Sequence, residues 1–283
     1  MDLRLSALAC LAEFTDSAAR LQPLYLQPDR AVYLAEHSGI VLKVYVDAEL
    51  LRQEWRATQA ARSAGVPTPE LLAFVPGPPA VIAARYVAGQ PLSSAHPLAA
   101  RETGGLLERF HRLGAEPPFS TGELAWDEHV LAWMRSELAS LRRFEVFTGD
   151  EIGILFARFE RLRPMLATRP IVLLHGDLQP VHVLVDPSGE RVVALLDFAE
   201  AQPGDPLLDI AVLTLWHKVL TGPILAGYAG LADDAETRAL LAEYRLMRNV
   251  SEIPWLLERG YDEYAVRNIE AVRLALSGGK SLD

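Results

Sequence analysis

The chain has 283 residues, half of them hydrophobic, and can therefore bury a sizeable core and form two lobes. Its formal net charge of −10 argues against a nucleic-acid partner, because a phosphate backbone is bound through excess lysine and arginine. A single cysteine excludes a disulfide within these residues and fits a reducing cytoplasm, and no apolar run is long enough to span a bilayer.

The N-terminal segment SALACLAEF predicts a helix with one apolar face. Asp2 and Arg4 precede it and Glu13 interrupts it, which is not the pattern of a signal peptide. We expect Cys10 to be a small packed residue on this helix.

Residues 21–46 contain several short β-type runs, of which GIVLKVY is the clearest. Alternation along this run places Lys43 on the face opposite Leu42 and Val44. Residues 47–65 then predict a helix that ends at Gly-Val-Pro and carries Glu54. A strand lysine followed by a helix glutamate is the arrangement in which the lysine holds nucleotide phosphates and the glutamate orients the lysine. Either residue alone is usually solvent-facing.

The runs 71–75 and 80–84 flank a Pro-Gly-Pro-Pro turn and predict a hairpin. Beyond it the pattern is mainly helical. Helices are expected at about 98–113, 124–143, 149–166, 206–219, 232–259 and 261–276, with a proline-rich loop at 116–119. Four tryptophans of these regions either wall an acceptor pocket or, as the default expectation, pack in the core: Trp126, Trp133, Trp216 and Trp255.

The most specific segment is HGDLQPVHVLVDPSGERVVALLDFAEAQPGDPLLD, residues 175–209. Two apolar runs, 183–185 and 192–196, flank an Asp-Pro-Ser-Gly turn and predict an antiparallel hairpin. The hairpin brings His182 and Asp197 together at its open end, with Asp177 in the loop ahead of them. The pair can hold a divalent cation, and the third carboxylate can accept a proton from a hydroxyl, which is the layout that phosphoryl transfer requires.

This segment resembles the catalytic core of the aminoglycoside phosphotransferase and choline kinase-like superfamily. The resemblance implies a two-lobed, protein kinase-like α+β fold. Residues 1–87 would form a nucleotide-binding lobe with a small antiparallel sheet, and residues 88–283 a mostly helical catalytic and acceptor-binding lobe. It further implies that Asp177 is the catalytic base or orienting carboxylate and that Asp197 is the main magnesium ligand. Asp205 and Asp209 match structural positions, and Asp209 is expected to cap or anchor the helix that follows.

The stretch from Ala84 to Leu92 resembles the hinge of that family, which binds adenine through main-chain groups. The matching groups are the carbonyl of Arg85 and the amide of Val87. Leu184 and Leu196 resemble the apolar floor beneath the base, although both would be core residues in any fold of the hairpin. His175 is expected to hydrogen-bond backbone and shape the catalytic loop, and His111 to be packed or capping.

Two features depart from the family. Asparagine usually occupies the position of His182, and imidazole nitrogen suits magnesium less than oxygen does. The site either works, as in the macrolide phosphotransferase branch, which it resembles in carrying HGDxxPxH, or has lost metal affinity. Manganese would suit imidazole better. Many relatives carry a glycine- or serine-rich turn between the first two strands, where backbone amides approach phosphate. The corresponding turn here, residues 26–30, has no glycine, and Arg30 is either a phosphate ligand or a surface residue.

The expected reaction is transfer of the terminal phosphate of ATP or GTP to a hydroxyl of an aminoglycoside-, macrolide- or choline-like acceptor. The negative charge would suit a cationic acceptor, although acidic surfaces usually serve solubility. Glu200 is either an acceptor ligand or an ordinary loop carboxylate. The alternative function is a catalytically weak or inactive nucleotide-binding scaffold, which His182 and the glycine-free turn motivate.

Overall fold

The computed structural model describes residues 2–14, 20–114 and 125–278. They form an N-terminal lobe built on an antiparallel sheet and a larger, mostly helical C-terminal lobe. The expected α+β, two-lobed architecture is confirmed. The proline-rich loop predicted at 116–119 lies outside the described residues. No helix in the described ranges is long and apolar enough to cross a membrane.

The N-terminal lobe contains α1 (Leu3–Leu11), β1 (Leu21–Leu26), β2 (Arg30–Ala35), β3 (Ile40–Tyr45), α2 (Ala48–Ser63), β4 (Leu71–Val75) and β5 (Ala80–Arg85). The five strands pair antiparallel in the order β1-β2-β3-β5-β4. Leu42 and Val44 are fully buried on one face, where Cys10 of α1 also packs. Lys43 consequently projects from the opposite face, as the alternation predicts.

Helix α2 begins at a side-chain cap and ends at a glycine. The carboxylate of Asp47 accepts hydrogen bonds from the amides of Glu49 and Leu50, which offsets amides that the first turn leaves unpaired. Gly65 ends the helix with a φ of 75°, a conformation that favours glycine. The buried face of α2 carries Glu54, which therefore points at the sheet rather than at solvent.

The C-terminal lobe contains eight α-helices and five short strands in the described ranges. They are β6 (Gln90–Pro91), α3 (Pro97–His111), α4 (Trp126–Leu141), α5 (Gly149–Glu160), α6 (Arg163–Leu166), β7 (Val172–Leu174), β8 (Val183–Val185), β9 (Val192–Leu195), β10 (Gln202–Gly204), α7 (Pro206–Leu213), α8 (Thr221–Gly227), α9 (Ala235–Glu258) and α10 (Asp262–Leu276).

Two helix predictions were wrong in extent. The helix expected at 149–166 ends at Glu160, and α6 starts anew with Pro164 in its first turn, where the missing amide breaks no helical hydrogen bond. The helix expected at 206–219 ends at Leu213, and the separate helix α8 was not predicted.

The core of the C-terminal lobe reaches directly beneath the predicted catalytic segment. Phe198, which follows Asp197, is fully buried. Its ring lies edge-on to Phe110 with centroids 5.2 Å apart and lies 4.5 Å from the ring of His175. Packing of Phe198 therefore ties the second half of the segment to α3 and to the loop that carries Asp177.

Candidate active site

The predicted catalytic hairpin is formed by β8 and β9, with Val183 opposite Leu195. The Asp186 carboxylate closes the turn by accepting hydrogen bonds from the Glu190 amide and the Ser188 hydroxyl. At the open end, the Leu196 amide donates to the carbonyl of His182 at 2.8 Å. His182 and Asp197 meet there, with 3.6 Å between Nε2 and Oδ2.

The orientation of the His182 ring follows from one hydrogen bond. Its Nδ1 lies 2.8 Å from the carbonyl oxygen of Asp177. Because a carbonyl only accepts, Nδ1 carries the proton, and when the ring is neutral Nε2 presents a lone pair toward Asp197. The loop backbone therefore selects the tautomer that can ligate a cation.

Asp197 adopts a φ of 66°, in the left-handed region that non-glycine residues seldom occupy. Its Oδ1 accepts a hydrogen bond of 2.8 Å from Nζ of Lys43, which joins the hairpin to the N-terminal sheet. Burial favours a raised pKa for this carboxyl, but the Lys43 ammonium and His182 outweigh burial and hold the pKa below its usual range. Asp197 is therefore ionised.

Lys43 bridges two carboxylates, since its ammonium also pairs with Oε1 of Glu54. Burial opposes the charge on Lys43, but Asp197 and Glu54 outweigh it and raise the pKa of the ammonium above its usual value. Burial raises the pKa of Glu54 to about 6, against the opposing effect of Lys43. The other oxygen of Glu54 is buried and has no hydrogen-bond partner among the described residues.

Asp177 lies in the loop between β7 and β8, and its carboxylate has partners that were not predicted from the sequence. Oδ1 accepts a hydrogen bond from Nη2 of Arg248 at 2.5 Å. Nε2 of Gln179 lies 3.1 and 3.2 Å from the two carboxylate oxygens. Arg248 is on α9, 71 residues further along the chain. No local pattern in the sequence marks it.

The loop that carries Asp177 is anchored from below by Asp209. The carboxylate accepts from the amides of His175 and Gly176 at 2.7 and 2.9 Å, and it also pairs with His111. Nε2 of His175 lies 2.8 Å from the Leu196 carbonyl, in line with its predicted structural role. His111 is buried, as expected of a packed residue.

Asp209 was expected to cap or anchor the following helix, and the expectation that it is the cap was wrong. Asp205 is the residue that caps α7, because its Oδ1 accepts from the amide of Leu207 at 3.0 Å. The dipeptide Asp205-Pro206 is a recognisable start signal, with the acid at the cap and proline at the first helical position. Asp209 is inside α7 and is fully buried.

A cavity of about 280 Å³ lies between the sheet and the hairpin. Predicted nucleotide-site residues from both lobes line it: Lys43, Glu54, Arg85, Val87, Leu184, Leu196 and Asp197. Gly89 also lines it, and a β-carbon there would lie 2.9 Å from Cβ of Leu184. The connection between the lobes therefore runs closely along one wall of the cavity.

The glycine-free turn between β1 and β2 is not among the parts of the chain that line this cavity. Nε2 of Gln27 donates instead to the hydroxyl of Tyr261, near the start of α10, at 3.0 Å. The guanidinium of Arg30 lies 3.5 Å from Asp29 and 5.2 Å from the centre of the Tyr45 ring. The turn thus contacts the C-terminal lobe, and the guanidinium of Arg30 lies against Asp29 and the ring of Tyr45.

Two residues that were considered for an acceptor site, Glu200 and Trp255, are exposed. Trp126 is buried, whereas Trp255 is 44% exposed, so the prediction of core packing was wrong for Trp255. Its ring stacks on Tyr261, and the guanidinium of Arg259 lies 4.4 Å from its centre.

The fit of the site to a metal ion depends on two donors. Among the described residues, no group of three or more His, Cys, Asp or Glu side chains is arranged to hold a metal ion. His182 and Asp197 offer one imidazole nitrogen and one carboxylate beside the cavity. Magnesium usually takes one or two carboxylates, and substrate phosphates and water complete its shell. The pair therefore fits an ion that a nucleotide also ligates.

A family model described as the phosphotransferase enzyme family matches residues 28–245. Among solved structures, a choline/ethanolamine kinase family protein from Mesorhizobium loti is similar with a TM-score of 0.73. It is 21% identical, and the similarity covers 96% of this chain and 92% of that one. The GDP and kanamycin complex of APH(2")-IIia has a TM-score of 0.76 at 18% identity and covers 99% of this chain and 100% of that one.

Aminoglycoside phosphotransferase APH(3'')-Id from Streptomyces rimosus is similar with a TM-score of 0.65 at 20% identity, over 88% of this chain and 99% of that one. At these identities the structures establish the fold. A curated relative, the uncharacterized protein YcbJ of Bacillus subtilis, is 42% identical over 57 residues. This match spans 20% of the chain and 18% of the relative, so less than a fifth of that protein is covered.

Proposed function

This chain belongs to the phosphotransferase enzyme family, and we propose that it transfers the terminal phosphate of ATP or GTP to a hydroxyl group of a small molecule. The observation that carries the proposal is a continuous set of polar contacts across the lobes. Glu54 pairs with Lys43, and Lys43 pairs with Asp197; all three line one cavity. His182 lies 3.6 Å from Asp197.

On the donor side, the base of the nucleotide would lie between the lobes. The carbonyl of Arg85 and the amide of Val87 would bind its polar edge, and Leu184 and Leu196 would contact its apolar face. Lys43 would pair with phosphate oxygens, and Glu54 would hold its ammonium in place. We place the lobe boundary between Val87 and residue 88, where β5 has ended and the chain crosses to the helical lobe.

His182 and Asp197 would hold a magnesium or manganese ion, which would neutralise negative charge on the phosphates. The tautomer fixed by the Asp177 carbonyl supports this assignment, because it leaves Nε2 of His182 able to act as a ligand. The HGDxxPxH motif of the macrolide branch has the same imidazole, and this ligand should suit manganese better than the amide of an asparagine would.

On the acceptor side, Asp177 would accept a hydrogen bond from the reacting hydroxyl. As the new oxygen–phosphorus bond forms, the proton of that hydroxyl passes to the carboxylate, and the nucleoside diphosphate leaves with the electrons of the broken bond. Asp177 is 23% exposed at its side chain and can be reached from solvent.

The acceptor class that we propose is a small molecule bearing hydroxyl and cationic groups, such as an aminoglycoside, a macrolide or a choline-like alcohol. One similar structure is a complex with GDP and kanamycin, and another is a ternary complex with AMP-PNP and hygromycin B. The exposed carboxylate of Glu200 and the net charge of −10 support a cationic acceptor here.

The test is an acceptor screen with ATP and with GTP, each with magnesium or manganese. Nucleoside diphosphate release would be measured, and mass spectrometry would identify the phosphorylated product. Asp177→Asn should lower turnover by at least about 100-fold, because general-base and orienting groups contribute that much. Asp150→Asn, at an exposed position in the first turn of α5, is the matched control. Equal turnover in wild type and Asp177→Asn would reject the assignment.

The second candidate is a nucleotide-binding protein with little or no turnover. The pairing of Asp177 with Arg248 favours it, because one oxygen of the carboxylate is already occupied by a guanidinium donor. Thermal shifts with nucleotide and metal ion, together with no product on a broad acceptor panel, would favour this candidate. Metal-dependent phosphorylation of any acceptor would exclude it.

A further inference from the structure

Arg248 is the centre of a four-residue network that ends on Asp177. Its Nη2 donates to Asp177, and its Nε donates to Oε1 of Glu252 at 2.9 Å. The other oxygen of Glu252 accepts from Nδ2 of Asn268 on α10 at 3.0 Å. Asn268 is 2% exposed. The loop carboxylate is thereby connected through α9 to the buried face of α10.

This network differs from an ordinary surface ion pair. The side chains of Arg248, Asp177 and Glu252 are 22%, 23% and 24% exposed, so each is mostly shielded from water. Burial opposes the charge on Arg248, but Asp177 and Glu252 outweigh it and raise the pKa of the guanidinium. Surface pairs stabilise little because both partners move freely, whereas here α9 and α10 fix the donor from behind.

The contacts also distinguish the two oxygens of Asp177. Arg248 occupies Oδ1, while among the described side chains Oδ2 accepts only from Gln179, at 3.2 Å. An arginine can donate but cannot accept a proton from a hydroxyl. Because Arg248 already donates to Oδ1, Oδ2 is the oxygen that can accept a hydrogen bond from the acceptor hydroxyl. The contact with Arg248 also opposes rotation of the carboxylate away from this orientation.

We propose that Arg248 is a positioning residue, which holds the Asp177 carboxylate so that Oδ2 faces the acceptor hydroxyl. This inference rests on the proposed phosphoryl transfer. Glu252 and Asn268 act through Arg248, because they orient its guanidinium and have no hydrogen bond to Asp177 themselves.

The first test separates turnover from binding. Arg248→Gln should lower kcat by about 10- to 100-fold, because displacing a reactive group by about 1 Å has effects of that size. The KM for nucleotide should stay within about twofold, since Arg248 does not line the nucleotide cavity. Arg248→Lys keeps the charge and should recover part of kcat. Arg158→Gln, which breaks the Arg158–Glu243 pair between α5 and α9, is the control for loss of an ion pair.

The second test is a double-mutant cycle with Asp177→Asn. If Arg248 acts through Asp177, adding Arg248→Gln to Asp177→Asn should change kcat by less than about threefold. Multiplicative losses would overturn the inference. Complete absence of phosphoryl transfer in the wild type would instead refute the proposed function, and these two failures are therefore distinguishable.

A third measurement requires no acceptor. Crystal structures of the full-length wild type, Arg248→Gln and Arg248→Lys would show the orientation of Asp177. We expect the carboxylate to rotate in Arg248→Gln and to keep its orientation in Arg248→Lys, with His182 unmoved in both. An unchanged Asp177 side chain in Arg248→Gln would overturn the inference even if no acceptor had been identified. If Arg248→Gln does not fold, Glu252→Gln weakens the same support and provides the comparison.

Discussion

Gly176 packs so closely on Glu200 that a β-carbon on the glycine would overlap the carbonyl oxygen of Glu200. Gly176 also has a φ of 84°, where glycine alone is unstrained. Both the close packing and the backbone conformation therefore require glycine before Asp177. The loop cannot adjust freely, because Asp209 holds its amides.

Replacement of Gly176 by alanine should consequently be severe. Gly176→Ala should lower the free energy of unfolding by more than about 3 kcal/mol, since it combines backbone strain with a clash against backbone. Gly153→Ala is the control, because Gly153 is inside α5 with no atom within 4 Å of a β-carbon. Gly153→Ala should raise stability by about 0.5–1 kcal/mol. Urea denaturation measures both, and similar values for the two variants would contradict the packing described.

The His182 ring should control which metal ion supports turnover. His182→Asn replaces imidazole nitrogen by an amide oxygen, which magnesium prefers. We expect the ratio of activity with manganese to activity with magnesium to fall by about tenfold. His37→Asn is a suitable control, because His37 is exposed in the β2–β3 turn and its φ of 66° suits asparagine. Metal titrations of turnover would decide, and an unchanged ratio would argue against a ligand role for His182.

Glu54 should contribute a pH-dependent part of the folding stability. Its pKa is raised by burial to about 6 from 4.5, so folding favours the protonated carboxyl. The stability from this group is fully present below pH 4.5 and is lost as the pH rises through about 6. Because glutamine stays neutral, the Glu54→Gln variant does not lose this stability as the pH rises. The free energy of unfolding of Glu54→Gln should therefore increase relative to that of the wild type by about 2 kcal/mol across this window.

Urea denaturation at several pH values would measure the Glu54 effect. Glu49→Gln, at an exposed position on the same helix, controls for the general effect of removing a charge from α2. A stability difference between wild type and Glu54→Gln that does not change between pH 4.5 and 7 would disprove the prediction.

Cys10 should react slowly while the N-terminal lobe is folded. Burial, and after it Glu13, raises the pKa of the thiol to about 11, and the residue is 3% exposed. Because the thiolate is the reactive form, alkylation at pH 8 should be at least about 100-fold slower in the native protein than in urea. Mass spectrometry would follow a single adduct, since the sequence has one cysteine. Rapid native alkylation would show that α1 opens readily from the sheet.

The hairpin and the strand lysine could be predicted from the sequence because their determinants are local. Alternation around Lys43 and the turn at residues 186–189 are patterns within a few neighbouring residues, and pairing of β8 with β9 follows from them. The hairpin then brings Asp197 and His182 together without further information. The signal for the start of α7 is equally local, because Asp205 and Pro206 are adjacent. Only the expectation that Asp209 would be the cap was wrong.

The contacts made between distant segments could not be predicted in this way. Gln27 and Tyr261 are 234 residues apart, and Arg248 and Asp177 are 71 apart. Which face of α9 meets the catalytic loop depends on how that helix packs against α4, α7 and α10, which periodicity does not specify. The turn at residues 26–30 is evident from the sequence, but its contact with Tyr261 depends on how the two lobes approach each other.

The sequence by itself therefore determined the catalytic hairpin, the strand that carries Lys43 and the group of acidic and basic residues around that hairpin, and the family resemblance of the same segment implied the two-lobed α+β class. Only the tertiary structure decided that Asp209 supports the loop from inside α7, that Asp177 is paired with Arg248, and that the β1–β2 turn contacts Tyr261. The physical reason is the range of the interactions. Strand alternation and turns are specified by adjacent residues, whereas the partners of a side chain at a cleft are specified by the packing of helices that are far apart in the chain.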